Sequence, residues 1–154
     1  MIAAKVRSFL DEHKVKYVTV KHSPAYTAQE LAHSAHLSGN EVAKSVMVKT
    51  DDRMAMVVLP ASKRVSLDEV RRVVGGRNVR LAHESEFKDL FPGCELGTMP
   101  PFGNLYGVDV YVDPALAEDK EIAFNAGTHT ELIRMSYADF ERLVRPRVAA
   151  LAIR

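Results

Sequence analysis

The chain has 154 residues, with 21 Lys and Arg against 20 Asp and Glu, one Cys, no Trp and 47% hydrophobic residues. A single domain of this length buries roughly 70% of its unfolded surface, so neither a metal nor a disulfide is needed for stability, and disordered and collagen-like readings are excluded. A formal charge of +1 excludes coating of nucleic acid by bulk electrostatics, because non-specific affinity rises with the number of phosphates neutralised.

Ile2, Val6, Phe9 and Leu10 recur at helical spacing and predict a first helix, and residues 15–20, with Tyr17 inside, predict a strand. Thr27-Ala-Gln-Glu30 has the form of a capping box, with Leu31, Ala32 and Ala35 as the apolar face and Gly39 as the stop, so a second short helix fits there. Residues 42–50 and 54–60 are β-rich runs separated by Asp51, Asp52 and Arg53. They read as a hairpin with both strands largely buried. Ser66-Leu-Asp-Glu69 is another capping box, opening a helix through Val70, Val73 and Val74 that Gly75 and Gly76 end. Residues 78–82 predict a short strand, residues 85–90 one or two helical turns, and Phe91-Pro-Gly93 a turn.

Residues 97–104 carry two glycines and two prolines in eight positions, which excludes helix and central strand and predicts a stiff, shaped loop. Residues 105–112, 121–125 and 130–135 then read as strands, with turns at Asp113-Pro114 and Ala126-Gly127, and a last helix begins near Ser136 and stops before Pro146. Several strand-to-strand steps lack an intervening helix. The expected class is α+β, a single domain over residues 1–154 whose mixed, largely antiparallel sheet or partly closed barrel is flanked by helices.

The longest apolar runs, residues 54–60 and 148–153, are far shorter than the ~20 residues that cross a bilayer, so no membrane association is expected. The first 14 residues alternate charge with apolar positions and do not read as a signal peptide. Cys94 has no partner within the chain, which fits a reducing, cytoplasmic location and excludes cysteine-based zinc sites. Two basic clusters stand out: Arg64, Arg71, Arg72, Arg77 and Arg80, and then Arg134, Arg142, Arg145, Arg147 and Arg154. Each fits either local phosphate contacts or a solvated helix face.

Walker, G-x-S-x-G and H-E-x-x-H motifs are absent. His33 and His36 sit three apart with His22 upstream, but no carboxylate lies at a ligand-like offset, and surface histidines are the simpler reading than a metal site. Ser45, His129 and Asp109 form a triad only by free choice among candidates. Three other segments carry more chemistry. Lys44 ends an otherwise apolar strand, where a cation must either reach water or face an anion. The loop that begins at Gly97 can bring backbone N–H groups close to a ligand while its prolines hold it rigid, or it can be a structural corner. Residues 125–130, Asn-Ala-Gly-Thr-His-Thr, place polar side chains around a glycine turn between two strands, either as a site or as a plain hairpin.

In this order the three segments resemble the YbaK and prolyl-tRNA editing domain family, single-domain relatives of the editing insertion in bacterial prolyl-tRNA synthetases. Lys44 in Val-Ala-Lys-Ser-Val is similar to the family's strand lysine, residues 57–61, Val-Val-Leu-Pro-Ala, to its strand ending in Pro-Ala, and Gly97-Thr-Met-Pro-Pro101-Phe-Gly103 to its G-x-x-x-P loop. Asp109 stands where a strand Asp is common, and Ala126-Gly127-Thr-His129 resembles the late glycine turn followed by histidine. The resemblance spans residues 20–145. Pro100, a second proline inside the loop, and the Phe-Gly-Asn-Leu-Tyr-Gly continuation mark a branch apart from the best-known alanine and cysteine editors.

The resemblance implies a trans-acting deacylase that cleaves the ester of a tRNA carrying a wrong small amino acid, of the Ala, Ser, Thr or Cys class, with no cofactor and no metal. Its partners would be the tRNA acceptor end and an aminoacyl-tRNA synthetase. It assigns Lys44, Gly97 and His129 to the reacting centre, with Thr98, Met99, Pro100 and Pro101 of the loop lining the substrate pocket. Phe102, Gly103, Gly127 and Thr128 join that pocket in the same reading. Thr128 or Thr130 would present a hydroxyl inward, which suits a seryl or threonyl substrate. The alternative is a non-catalytic module of the same fold that binds tRNA, a nucleotide or an amino acid, and a third reading is a hydrolase of another small ester or amide.

Overall fold

The computed structural model describes residues 3–24, 40–95 and 97–153; the helix expected over 27–39 lies outside them. In chain order the elements are α1 (Ala4–Glu12), β1 (Tyr17–Lys21), β2 (Ala43–Thr50), β3 (Arg53–Pro60), α2 (Leu67–Val74), β4 (Val79–Leu81), α3 (Glu84–Phe87) and a 3₁₀ turn (Gly103–Tyr106). There follow β5 (Asp109–Val112), α4 (Pro114–Ala117), β6 (Glu121–Asn125), β7 (Glu131–Ser136), α5 (Tyr137–Val144) and β8 (Arg147–Val148). No helix among the described residues is long and apolar enough to cross a membrane.

The strands form two sheets, an antiparallel one in the order β1-β7-β6 and a mixed one in the order β4-β2-β3-β5-β8, in which β5 runs parallel to both neighbours. One parallel bridge, Val42 to Ala123, joins the sheets. The described strands are not closed into a barrel; the mixed α+β arrangement is the one expected.

Residues 54–60 are apolar almost without interruption because β3 is covered on both faces. Met56 and Val58 enter the main core with Phe102, Phe124, Ile133 and Phe140, while Ala55, Val57 and Leu59 enter a second core under Val70 of α2 and Leu151. Phe102 is at the centre of the main core, edge-on to Phe124 at 5.5 Å and to Phe140 at 5.6 Å, a geometry that aromatic quadrupoles favour. α2 starts where the Ser66 hydroxyl accepts the Glu69 N–H and stops at Gly75, at φ +82°, as the capping pattern requires.

Two expected segments differ. Residues 105–112 do not form one strand: Leu105 and Tyr106 lie in the 3₁₀ turn, closed by Leu105 N–H to Phe102 O and Val108 N–H to Gly103 O, and β5 starts only at Asp109. The Asp113-Pro114 turn is the start of a short helix, because the buried Asp113 carboxylate caps Ala115 N–H at 2.9 Å. Its other oxygen takes the N–H groups of Leu151 and Ala152 at 2.9 and 3.0 Å and so fixes the C-terminal segment.

Candidate functional site

The stiff loop and the glycine turn, thirty residues apart, are stitched together by backbone hydrogen bonds. Glu95 N–H donates to Gly127 O at 2.8 Å, and Gly127 N–H to Thr98 O at 3.0 Å. The Thr98 hydroxyl, wholly buried, donates to Glu95 O at 2.6 Å and tightens the loop from within. A Cβ on Gly97 would stand 3.6 Å from His129 Cε1, so this imidazole lies directly over the loop's first glycine. His129 is held in turn by Glu95, whose Oε2 accepts its backbone N–H at 3.2 Å and lies 3.9 Å from Nε2. Gly127, at φ +113°, leaves little room for a side chain, since a Cβ would sit 3.1 Å from Ala3 N.

Thr128 points inward, 5% exposed, and its hydroxyl oxygen accepts the N–H groups of Thr130 and Glu131. Met99 is half-buried and lines a narrow crevice with Phe87, Phe91, Cys94 and Glu95. Pro100 and Pro101, within the loop, are buried. Phe102 is fully buried in the aromatic core and has no surface to give a ligand. Gly103 is packed so that a Cβ would meet Val110 Cγ2 at 2.8 Å and Val108 O at 2.9 Å. These two residues of the expected pocket are its foundation rather than its wall, because the loop must be anchored somewhere to be stiff.

Lys44 is related to the glycine turn through the sheet register. The Val42–Ala123 bridge is parallel, so continuing its register by two residues puts Lys44 level with Asn125 and on the same face. β6 then ends in the glycine turn while β2 goes on to pair with β4 from Val48, so the two strands splay apart at this point. Burial pushes the half-buried Lys44 ammonium below the ordinary lysine range, and the nearby Arg64 adds to the effect. No acidic group pairs with Lys44 among the described residues. Asn125 Oδ1 is buried without a partner there, the condition of a group that awaits a donor. Asn125 belongs to the polar glycine turn read from the sequence, whereas Glu95 was not singled out there; the signal available for it was an acid two residues before the loop glycine.

Other expected groups lie elsewhere. Asp109 pairs with Ala55 at the end of the sheet remote from Leu59 and Lys44, so no triad with Ser45 and His129 is assembled. His22 donates its N–H to Thr130 O and places Nδ1 2.7 Å from Ser23 O, while His33 and His36 lie outside the described residues. Burial raises the Cys94 thiol pKa, the wrong direction for a nucleophile.

The first basic cluster divides. Lys49, Arg71, Arg77 and Arg80, with Asp51, line a cavity of about 320 Å³ at the far end of β2. Glu86 binds both Lys49 and Arg80, and the Arg80 guanidinium holds its carboxyl far below the usual range. The Arg77 guanidinium has no acidic partner among the described residues. In the C-terminal cluster, Arg134 faces Glu41 and Glu121, and Arg142 faces Asp139.

Residues 22–143 match the model of a family described as the aminoacyl-tRNA editing domain. Over 94 residues the chain is 32% identical to the multifunctional Ser/Thr-tRNA deacylase ProXp-y of Escherichia coli K12, a match that covers 60% of this chain and 56% of that protein. A proline–tRNA ligase of Bacillus cereus is 27% identical over 89 residues, 58% of this chain and 16% of the ligase. The fold matches the crystal structure of a hypothetical protein with a TM-score of 0.85 at 24% identity, covering 97% of this chain and 99% of that one. It also matches that of a proposed trans-editing enzyme for prolyl-tRNA synthetase with a TM-score of 0.81 at 24% identity, covering 97% and 96%.

Proposed function

The chain belongs to the aminoacyl-tRNA editing domain family, and from that premise we propose that it acts in trans as a deacylase on tRNA mischarged with a small amino acid of the Ala, Ser, Thr or Cys class. The match to a deacylase named for Ser and Thr supports that substrate class. The observation that carries the reading is the joint formed by the Gly97 loop, His129 and the glycine turn, with Lys44, which has no acidic partner among the described residues, related to that turn through the sheet register.

An aminoacyl ester is already activated, so its hydrolysis needs a positioned water and donors for the developing oxyanion rather than a protein nucleophile. Water adds to the carbonyl carbon, the bond to the ribose oxygen breaks, and the products are a free amino acid and a tRNA with its terminal hydroxyl restored. In this reading Lys44 engages the terminal nucleotide, whose phosphate would favour the ammonium form that burial disfavours. The Gly97 backbone meets the reacting carbonyl, and His129 positions water or a substrate hydroxyl. Met99 and the buried prolines limit the room for the side chain, the small sieve needed because binding alone separates amino acids by only about 1–3 kcal/mol per methylene.

The lysine-arginine cavity suits the acceptor strand. A panel of tRNAs charged with Ala, Ser, Thr and Cys tests the proposal. Release of at least one of them, abolished by Lys44→Ala with the fold intact, is expected; binding without cleavage across the panel would favour a regulatory binding module instead.

A further inference from the structure

Glu95 is the only acidic residue in the loop 94–103 or the turn 125–130. Its backbone is fixed on both sides, N–H to Gly127 O and carbonyl to the N–H and hydroxyl of Thr98. The side chain remains 57% exposed. Oε2 is occupied by the His129 N–H, while Oε1 has no partner among the described residues. Lys88 lines the same crevice but makes no ion pair with it. A rigidly based carboxylate with one oxygen spare, two residues from Gly97 and beside His129, is more than a loop staple requires.

We infer that Glu95 binds the free α-ammonium of the substrate's amino acid, so that the site accepts aminoacyl esters and refuses esters whose amine is acylated. The inference rests on the deacylase reading and narrows its substrate class. The α-ammonium is the one cation common to every aminoacyl ester and stands one carbon from the scissile carbonyl, so a group that holds it also fixes the carbonyl over the loop. Charge-assisted hydrogen bonds to an ammonium are about twice as strong as neutral ones. An acylated amine is neutral, has a single N–H and carries extra bulk, and it leaves the carboxylate to be desolvated without a counter-charge. Glu95 is thus a selectivity device as well as an anchor: an ester with a blocked amine, as in a growing peptide on its tRNA, is spared.

The test compares seryl-tRNA with N-acetylseryl-tRNA. The wild-type protein should cleave the first with a kcat/KM at least about tenfold higher, in line with the discrimination open to sites that bind a substrate N–H. In Glu95→Gln, which keeps an acceptor for the His129 N–H, that ratio should fall towards one through slower cleavage of the free amine, and Glu95→Asp should recover part of it. A wild-type ratio near one overturns the inference. So does an undiminished ratio in Glu95→Gln with both esters slowed alike, the mark of a purely structural role. If the whole panel of mischarged tRNAs is inert, the deacylase reading fails, and calorimetric binding decides this inference separately. Non-hydrolysable 3′-serylamino-adenosine should then bind at least about tenfold more tightly than its N-acetyl form, with the difference lost in Glu95→Gln; equal binding of the two forms overturns it.

Discussion

Replacing Gly127 by alanine tests how tightly the glycine turn is held. At φ +113° an L-residue occupies a region that glycine alone uses freely, at a cost of about 1–3 kcal/mol. The new methyl would lie 3.1 Å from Ala3 N and 3.2 Å from Ala3 Cβ, so Ala3 must shift. That weakens its 2.7 Å hydrogen bond to Ala126 O, worth about 1 kcal/mol. Together these give a loss of about 2–4 kcal/mol and, for a domain of this size, a Tm lowered by about 4–16 °C. Gly75→Ala is the control: φ is +82° and nothing lies within 4 Å of the added carbon, so only the left-handed backbone cost of about 1–2 kcal/mol applies. Thermal unfolding followed by circular dichroism, with urea midpoints at constant m, measures both variants. If Gly127→Ala loses no more than Gly75→Ala, the packing against Ala3 is not tight and the reasoning fails.

Lys44→Met should lower deacylation by about 100-fold, the scale on which a single transition-state interaction acts, without lowering Tm at pH 7. Because burial depresses the Lys44 pKa, the folded state binds that proton less well than the unfolded state. Wild-type stability therefore gains as pH rises through the lowered value towards the ordinary lysine value, and the variant should lack this gain in a pH series of unfolding curves. Arg77→Ala should leave stability unchanged and flatten the dependence of log kcat/KM on log salt by about 0.7–0.9 for each phosphate that the variant no longer neutralises; an unaltered slope would remove the lysine-arginine cavity from the tRNA path. Asp113→Ala strips three N–H groups of their acceptor and should cost about 3 kcal/mol or more in urea unfolding, with Asp113→Asn intermediate.

What the sequence revealed best was what short-range chemistry decides. The hairpin of β2 and β3, the Ser66 cap and the Gly75 stop each depend on residues within a few positions of one another. The division into two sheets was not readable, because the Val42–Ala123 bridge joins segments eighty residues apart and leaves no local pattern. β8 is only Arg147 and Val148, too short for alternation to show, and its pairing with β5 depends on the buried Asp113 drawing in residues 151 and 152. Leu105 and Tyr106 have strand-like side chains, yet the glycine turn that follows them overrides this preference. At the site, the loop and the turn announced themselves through glycine and proline. Phe102 and Gly103 fit the motif equally well but lie below it, since a motif records which residues recur and not which way they face. Glu95 stayed hidden for the opposite reason: its backbone and carboxylate acquire meaning only through Gly127 and His129.

The seam of N–H groups shared between residues 95–98 and 127–129 makes two stretches of chain into one cooperative unit. Amide hydrogens of Glu95, Gly127 and His129 should therefore exchange with deuterium at a common rate and slow together when an adenosine analogue is added. Neither stretch can loosen alone, so the loop and the turn yield or hold as a whole.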